Sequence, residues 1–198
     1  GRELRQARQG VLPSVRIQCD LSYPMTRPAA LRLGVPARGM LAHRTLPQLM
    51  APDRLVPGRR RDVDVLLAWG RRPSALRVEH LARRWGLPVW HIEDGLLRSV
   101  AKGRDHPPLG LLIDELGVHF DATTPSQMEQ LIAAPITAAE ADRSRVLQTL
   151  WREQRLSKVN PPVEAEAPQE PYVLVVDQSA GDRSIALGLA DANCFQRM

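Results

Sequence analysis

A strand–helix–strand unit between residues 62 and 92 constrains the fold of this chain more than any other feature. Asp62–Trp69 (DVDVLLAW) is a short apolar run followed by a glycine, which is typical of a buried strand. Ser74–Trp85 then places its apolar residues on one helical stripe, bounded by a proline and a glycine. Leu87–Ile92 is a second apolar run. Connections this short predict parallel strands with the helix packed across them.

Further strands and helices are expected downstream. Leu109–Asp114 reads as a third strand, Gly117–Asp121 as a short fourth, and Tyr172–Asp177 as a return of the chain to the core. Thr124 and Thr137 have the spacing of helix N-caps, each followed three residues later by Gln or Glu, and the second helix is expected to end near residue 156. The pattern predicts an α/β domain with a mostly parallel sheet and helices on its faces.

The composition divides the chain into regions. Residues 1–61 are rich in arginine and proline with weak periodicity, so we expect them to be irregular, and residues 62–198 form the α/β unit. Residues 159–171 are rich in proline and glutamate and predict a surface linker. Residues 1–104 hold 20 Arg and Lys against 8 Asp and Glu, which leaves a basic nucleic-acid-binding protein as one alternative.

The expected cellular location rests on features that are absent from the sequence. Its 2 cysteines make no disulfide framework, no apolar run approaches a membrane span of roughly 20 residues, and no signal peptide is recognisable. We therefore expect a cytoplasmic protein, with contact at the cytoplasmic face of the inner membrane as an option. No His or Cys spacing predicts zinc, and we expect neither a metal nor another cofactor.

Polar clusters follow three of the predicted strands. They are WGRRPS (69–74), the EDG turn (93–95) and DQSAGD (177–182). Because the carboxyl ends of parallel strands share one edge of a sheet, these clusters predict a common crevice. Each cluster also has a purely structural interpretation: Asp94 in a turn, Asp177 in an Asx-turn, and Asp182 as a helix cap. A non-catalytic α/β scaffold or binding fragment therefore stays open as an alternative.

The ordered set of motifs resembles one bacterial family. WGRRPSALRVEHLARRWGLPVWHIEDGLLRSV, PPLGLLIDELGVHFDATTPSQMEQLI, LSKVN and VLVVDQSAGDRSI are similar to the capsule polysaccharide biosynthesis and export proteins. Those proteins are retaining β-Kdo glycosyltransferases of group 2-type capsules, which build a Kdo linker on a lipid anchor. The resemblance implies a Rossmann-like N-terminal, acceptor lobe of a GT-B-type enzyme. It also implies that the C-terminal lobe for the nucleotide-sugar donor lies outside this chain, so we expect the chain alone to be inactive.

The resemblance also implies roles for individual residues. The donor would be CMP-Kdo and the acceptor a lipid-linked glycan. Asp182 is the expected nucleophile and Glu93 the base for the acceptor hydroxyl, with Asp94 as the alternative base. The expected substrate-binding residues are Arg71, Arg98, Gln178, Gly181 and Ser184.

Overall fold

A five-stranded, mostly parallel sheet lies at the centre of the computed structural model, which describes residues 30–101, 105–160, 168–176, 178–191, 193–194 and 197. Its strands run in the spatial order β2-β1-β3-β4-β5. Strands β2, β1, β3 and β4 are parallel to one another, and β5 is antiparallel to β4. The predicted α/β class with a mostly parallel sheet is confirmed. The strands are β1 (Arg32–Val35), β2 (Arg54–Pro57), β3 (Val65–Trp69), β4 (Val89–Asp94) and β5 (Leu111–Asp114).

The predicted strand–helix–strand unit is present as β3, helix α2 (Pro73–Trp85) and β4. A proline opens the helix, where its missing N–H costs nothing. Gly86 ends the helix in the left-handed conformation, at φ 67°, and donates its N–H to the carbonyl of Ala82. The helix buries Ala75, Val78 and Ala82 against the sheet.

Both faces of the sheet are covered, and strand alternation divides the core between them. Val65, Leu67 and Trp69 point to one face, where a 3₁₀ helix (Arg38–Ala42) and α1 (Leu46–Leu49) cover them. Leu66 and Ala68 point to the other face and pack against α2. Leu66 and Leu67 are fully buried, and burying one such side chain contributes roughly 1.5–3 kcal/mol. Helices on both faces are thus confirmed.

The later helices begin at capping boxes and pack loosely. Helix α4 (Ala138–Glu153) is capped by Thr137, as predicted, and Glu140 completes the box. Helix α3 (Gln127–Ala133) is capped by Ser126 rather than by Thr124, because Glu129 lies three residues after Ser126 and accepts hydrogen bonds from its N–H and hydroxyl. A short helix α5 (Arg183–Leu187) follows Asp182. Neither α3 nor α4 buries a side chain.

Part of the N-terminal region expected to be irregular belongs to the sheet. Residues 30–61 contain β1 and β2, which pair with each other, and β1 also pairs with β3. Gly34 lets these strands pack closely, since a Cβ there would meet Leu66 Cδ2 at 2.6 Å. Strands of four residues carry little periodicity, so distant pairing rather than a local pattern decides them. Residues 1–29 lie outside the described residues.

Two predicted strands are not formed. Gly117–Asp121 is a turn, because the Asp114 carboxylate accepts hydrogen bonds from the N–H groups of Leu116 and Gly117 and draws the chain round. Residues 172–176 form no regular secondary structure and pair with none of the five described strands, and Val173 is 89% exposed. Asp177, residues 161–167 of the predicted linker and Cys19 lie outside the described residues. In the described ranges, no helix is long and apolar enough to span a bilayer.

Candidate functional site

A polar cleft of about 440 Å³ lies beyond the carboxyl ends of β3 and β4. We call it the carboxylate cleft, because three acidic side chains face it. It brings together Glu93, Asp94 and Asp182, which the sequence separates by almost ninety residues. The common crevice predicted from the strand ends is therefore present, although residues 172–176 do not form the strand that was expected to lead into it. Its lining is Arg71, Arg72, Glu93, Asp94, His119, Phe120, Lys158, Gln178, Asp182, Arg183 and Ser184.

The two carboxylates at the end of β4 have different environments. Burial raises the pKa of the Glu93 carboxyl, and the only hydrogen bond it accepts among the described residues comes from the Asp94 N–H at 3.3 Å. Gly70 makes room for it, since a Cβ at residue 70 would lie 1.8 Å from Glu93 Oε1. Asp94 instead binds Arg98, with Nε 2.9 Å from Oδ2. A partly buried carboxyl that forms no ion pair with the described residues, as at Glu93, is suited to gaining and losing a proton.

Asp182 enters the cleft as the N-cap of α5. Its Oδ1 accepts a hydrogen bond of 2.8 Å from the Ser184 N–H, and hydrogen bonds from Ser184 lower its pKa. Gly181, at φ 79°, allows the turn that precedes it, but Gly181 does not line the cleft. Gln178 Nε2 donates to Ser184 Oγ at 3.0 Å, and both side chains line the cleft. The structural interpretation of Asp182 as a cap is therefore correct, and the cap leaves the carboxylate ionised at the cleft.

Arg71 lines the cleft, but its guanidinium group is fully engaged by the protein. Nε binds Asp121 at 2.7 Å, Nη1 binds Glu79 at 2.8 Å and Nη2 binds Thr124 at 3.0 Å. The Arg71 side chain is only 13% exposed. These contacts join the end of β3 to α2 and to residues 121–124, which argues for a structural role rather than the predicted contact with substrate.

Arg98 lies behind the cleft rather than in its lining. Besides Asp94, its Nη1 donates to Ser99 Oγ at 2.7 Å and to the His106 carbonyl at 3.1 Å. Arg98 therefore orients Asp94 and closes the turn after β4. Asp94 Oδ1 is buried and accepts no hydrogen bond from the residues that the structure describes.

Sequence reasoning left several lining residues without a role. Arg72, Lys158 and Arg183 supply positive charge, and His119 and Phe120 supply an aromatic wall with ring centroids 5.3 Å apart. Arg72 lies in the WGRRPS cluster that predicted the crevice, and the other four lie in the motifs that carry the family resemblance, although none of the five was given a catalytic or binding role there. Over the described ranges, no group of three or more His, Cys, Asp or Glu side chains is arranged to hold a metal ion.

Sequence comparisons connect these features with capsule proteins. Residues 64–156 match the family described as capsule polysaccharide biosynthesis protein. The capsule polysaccharide modification protein LipA of Neisseria meningitidis serogroup B is 32% identical over 176 residues, which cover 83% of this chain and 25% of LipA. The lipopolysaccharide-processing protein LpsZ of Rhizobium meliloti is 36% identical over 122 residues, which cover 57% of this chain and 28% of LpsZ. The chain thus spans about a quarter of each of these relatives.

Solved structures agree with the sequence matches. The Thermosulfurimonas dismutans KpsC beta Kdo 2,4 transferase superimposes with a TM-score of 0.73 at 30% identity, over 85% of this chain and 55% of that one. The beta Kdo 2,7 transferase of the same organism shares the fold, with a TM-score of 0.53 at 21% identity over 79% of this chain and 51% of that one. By its sequence matches and its fold, this chain belongs to the capsule polysaccharide biosynthesis protein family.

Proposed function

We propose that this chain contributes the acceptor side of a retaining glycosyltransferase that moves Kdo from CMP-Kdo to a lipid-linked glycan. The observation that carries the proposal is the meeting of Glu93 and Asp182 in one cleft. The similarity to a beta Kdo 2,4 transferase supports the choice of sugar. Because the chain covers 55% of that solved structure, the complete activity belongs to a larger assembly in this proposal.

The proposed chemistry is a double displacement. Asp182 attacks the anomeric carbon of Kdo, the bond from that carbon to the CMP phosphate breaks, and CMP leaves with the electron pair. The acceptor hydroxyl then loses its proton to Glu93 and displaces Asp182, so the configuration is retained. Asp182 suits the first step because hydrogen bonds from Ser184 keep it ionised.

Glu93 is a better candidate for the base than Asp94. Asp94 is already engaged in an ion pair with Arg98, with Arg98 Nε 2.9 Å from Asp94 Oδ2. Glu93 forms no such ion pair with the described residues, and burial raises its pKa toward neutrality. A base gains effectiveness as its pKa approaches the working pH. We keep Asp94 as the alternative base.

Intact-protein mass spectrometry tests these assignments. We would extend the chain with the remaining part of the T. dismutans transferase and mix it with CMP-Kdo and acceptor. Asp182→Asn should carry no added sugar mass, because an amide still caps the helix but does not attack. Glu93→Gln should accumulate the glycosyl-enzyme. Asp142→Asn, on the exposed face of α4, is the matched control and should behave as the unmodified chain. A sugar adduct on Asp182→Asn would contradict the proposed nucleophile.

A further inference from the structure

The carboxylate cleft contains more positive charge than its own carboxylates neutralise. Arg71 and Asp94 are already neutralised by ion pairs with Glu79, Asp121 and Arg98. Of the remaining lining residues, two are acidic, Glu93 and Asp182, and three are basic. The three basic residues are Arg72, Lys158 and Arg183. None of them forms an ion pair with a carboxylate among the residues that the structure describes. An excess cation at a cleft is a feature of sites that bind anions.

The backbone of Lys158 is held in place, while its ammonium group forms no hydrogen bond or ion pair with the part of the chain that the structure describes. Its carbonyl accepts hydrogen bonds from the N–H groups of Arg98 at 2.8 Å and Ser99 at 3.3 Å. The next residue, Val159, forms a parallel bridge with Ser99, and Asn160 donates its N–H to the Ser99 carbonyl at 3.1 Å. This short ladder fixes the position of Lys158 without using its ammonium group. A fixed backbone reduces the ordering cost of binding a ligand.

The charge of Lys158 reaches both candidate catalytic carboxylates. Burial raises the pKa of Glu93, and the positive charges of Arg72 and Lys158 oppose that rise. Hydrogen bonds from Ser184 lower the pKa of Asp182, and Lys158 adds to that effect. Burial lowers the pKa of His119, and Lys158 lowers it further. One free ammonium group therefore acts on both walls of the cleft.

We propose that Lys158, assisted by Arg72, binds an anionic group of the substrate beside Glu93 and Asp182. This inference rests on the proposed function, which supplies two candidate anions: the carboxylate of a 2-keto sugar acid and the phosphate of its nucleotide. The sugar carboxylate is attached directly to the anomeric carbon, so an anion held next to Asp182 also positions the reacting atom. Arg72 stacks over Trp69, with its guanidinium carbon 5.6 Å from the ring centroid, and its position is thereby restricted.

Comparing each charged ligand with a neutral ligand of similar shape separates the contribution of charge to binding from that of shape. The 198-residue chain, labelled with ¹⁵N, is titrated at low ionic strength with Kdo and its neutral methyl ester, and with CMP and neutral cytidine. At least one charged ligand should bind about tenfold more tightly than its neutral partner, as a charge-assisted hydrogen bond requires. Lys158→Gln should remove that preference, and Lys158→Arg should keep most of it. Arg152→Gln, a charge removal on α4 outside the cleft, is the control and should leave the preference intact.

Each result decides the matter. A preference for Kdo over its ester assigns the sugar carboxylate to Lys158, and a preference for CMP over cytidine assigns the phosphate. No preference in the unmodified chain, or a preference that survives in Lys158→Gln, overturns the inference. Loss of the preference in Lys158→Gln, combined with failure of the extended chain to form a glycosyl-enzyme, would refute the proposed function and leave the anion site standing.

Discussion

Arg71 should contribute far more to stability than an ordinary surface arginine. Replacing it with methionine keeps much of the apolar length but leaves Asp121 and Glu79 without their cation. The Asp121 side chain is 4% exposed and the Glu79 side chain 17%. Water therefore compensates little for the lost charge. Removing one member of a buried ion pair costs about 3–5 kcal/mol, because the partner charge stays buried and unpaired.

The lower end of that range applies here. Asp121 keeps hydrogen bonds from the N–H and hydroxyl of Thr123, so it is not stripped of all its donors. Glu79 also lies 3.6 Å from His91 Nε2, but burial lowers the pKa of His91, so this imidazole stays neutral near pH 7. We expect a loss of about 3 kcal/mol in the free energy of unfolding.

Urea unfolding measures this loss. With a denaturant slope of about 2 kcal/mol per M, the midpoint of Arg71→Met should fall by about 1.5 M. Buried Trp69 and Trp90 report the transition by fluorescence. Arg145→Met is the matched control, because its ion pair with Asp142 has side chains 70% and 69% exposed. Such a pair contributes only about 0.3–0.5 kcal/mol.

A second variant tests the mechanism. Arg71→Met combined with Asp121→Asn removes the more buried of the two unpaired charges and keeps the hydrogen bonds from Thr123, so it should be more stable than Arg71→Met alone. The reasoning is refuted if Arg71→Met shifts the midpoint no further than Arg145→Met does. It is also refuted if the double variant is less stable than Arg71→Met.

Two further predictions concern the same region. Burial would raise the pKa values of Asp114 and Asp121, but hydrogen bonds lower both below their usual range. Backbone N–H groups have this effect on Asp114, and Thr123 with Arg71 has it on Asp121. Their stabilisation is complete above the unfolded pKa of about 3.9 and is lost as the pH falls through the lower folded pKa, so urea midpoints that stay constant from pH 5 to pH 2 would contradict us. Gly70→Ala should lower the free energy of unfolding by about 1–2 kcal/mol, because alanine is strained at the φ of 47°, and Gly86→Ala at φ 67° should do the same. Only Gly70→Ala should also change the Glu93 pKa, measured by carboxyl ¹³C NMR, since only there does a Cβ meet the Glu93 carboxylate.

Local patterns predicted the parts of the fold that local physics decides. The β3–α2–β4 unit was predictable because β3 is buried on both faces and a proline and a glycine mark the ends of α2. Thr137 was predictable as a cap because Glu140 completes a box within one turn. The prediction of Thr124 as a cap was wrong for the same physical reason, since the Ser126–Glu129 pair offers a capping box two residues later.

Pairing between distant segments was not predictable from local patterns. Strands β1 and β2 are four residues each, and Gly34 matters only because Leu66 packs against it. Residues 172–176 have a strong strand composition but find no partner among the described strands. Backbone N–H and carbonyl groups need such a partner before an extended run becomes a strand. The strand that composition predicted here is therefore wrong for the described residues 172–176.

Asp182 and Glu93 share a cleft as predicted, but the contacts that bring Asp182 there are not those of the expected strand. The end of α5 is tied to the turn after β5, where the Ala122 N–H donates to the Leu187 carbonyl at 2.9 Å. The neighbouring Asp121 is held by Arg71 at the end of β3, one strand away from Glu93. Arg71 thus connects the two walls of the carboxylate cleft through Asp121, Ala122 and α5. It follows that Arg71→Met should impair the alignment of Asp182 with Glu93 without touching either residue, whereas Lys158→Gln should leave that alignment intact and weaken only the binding of the anion.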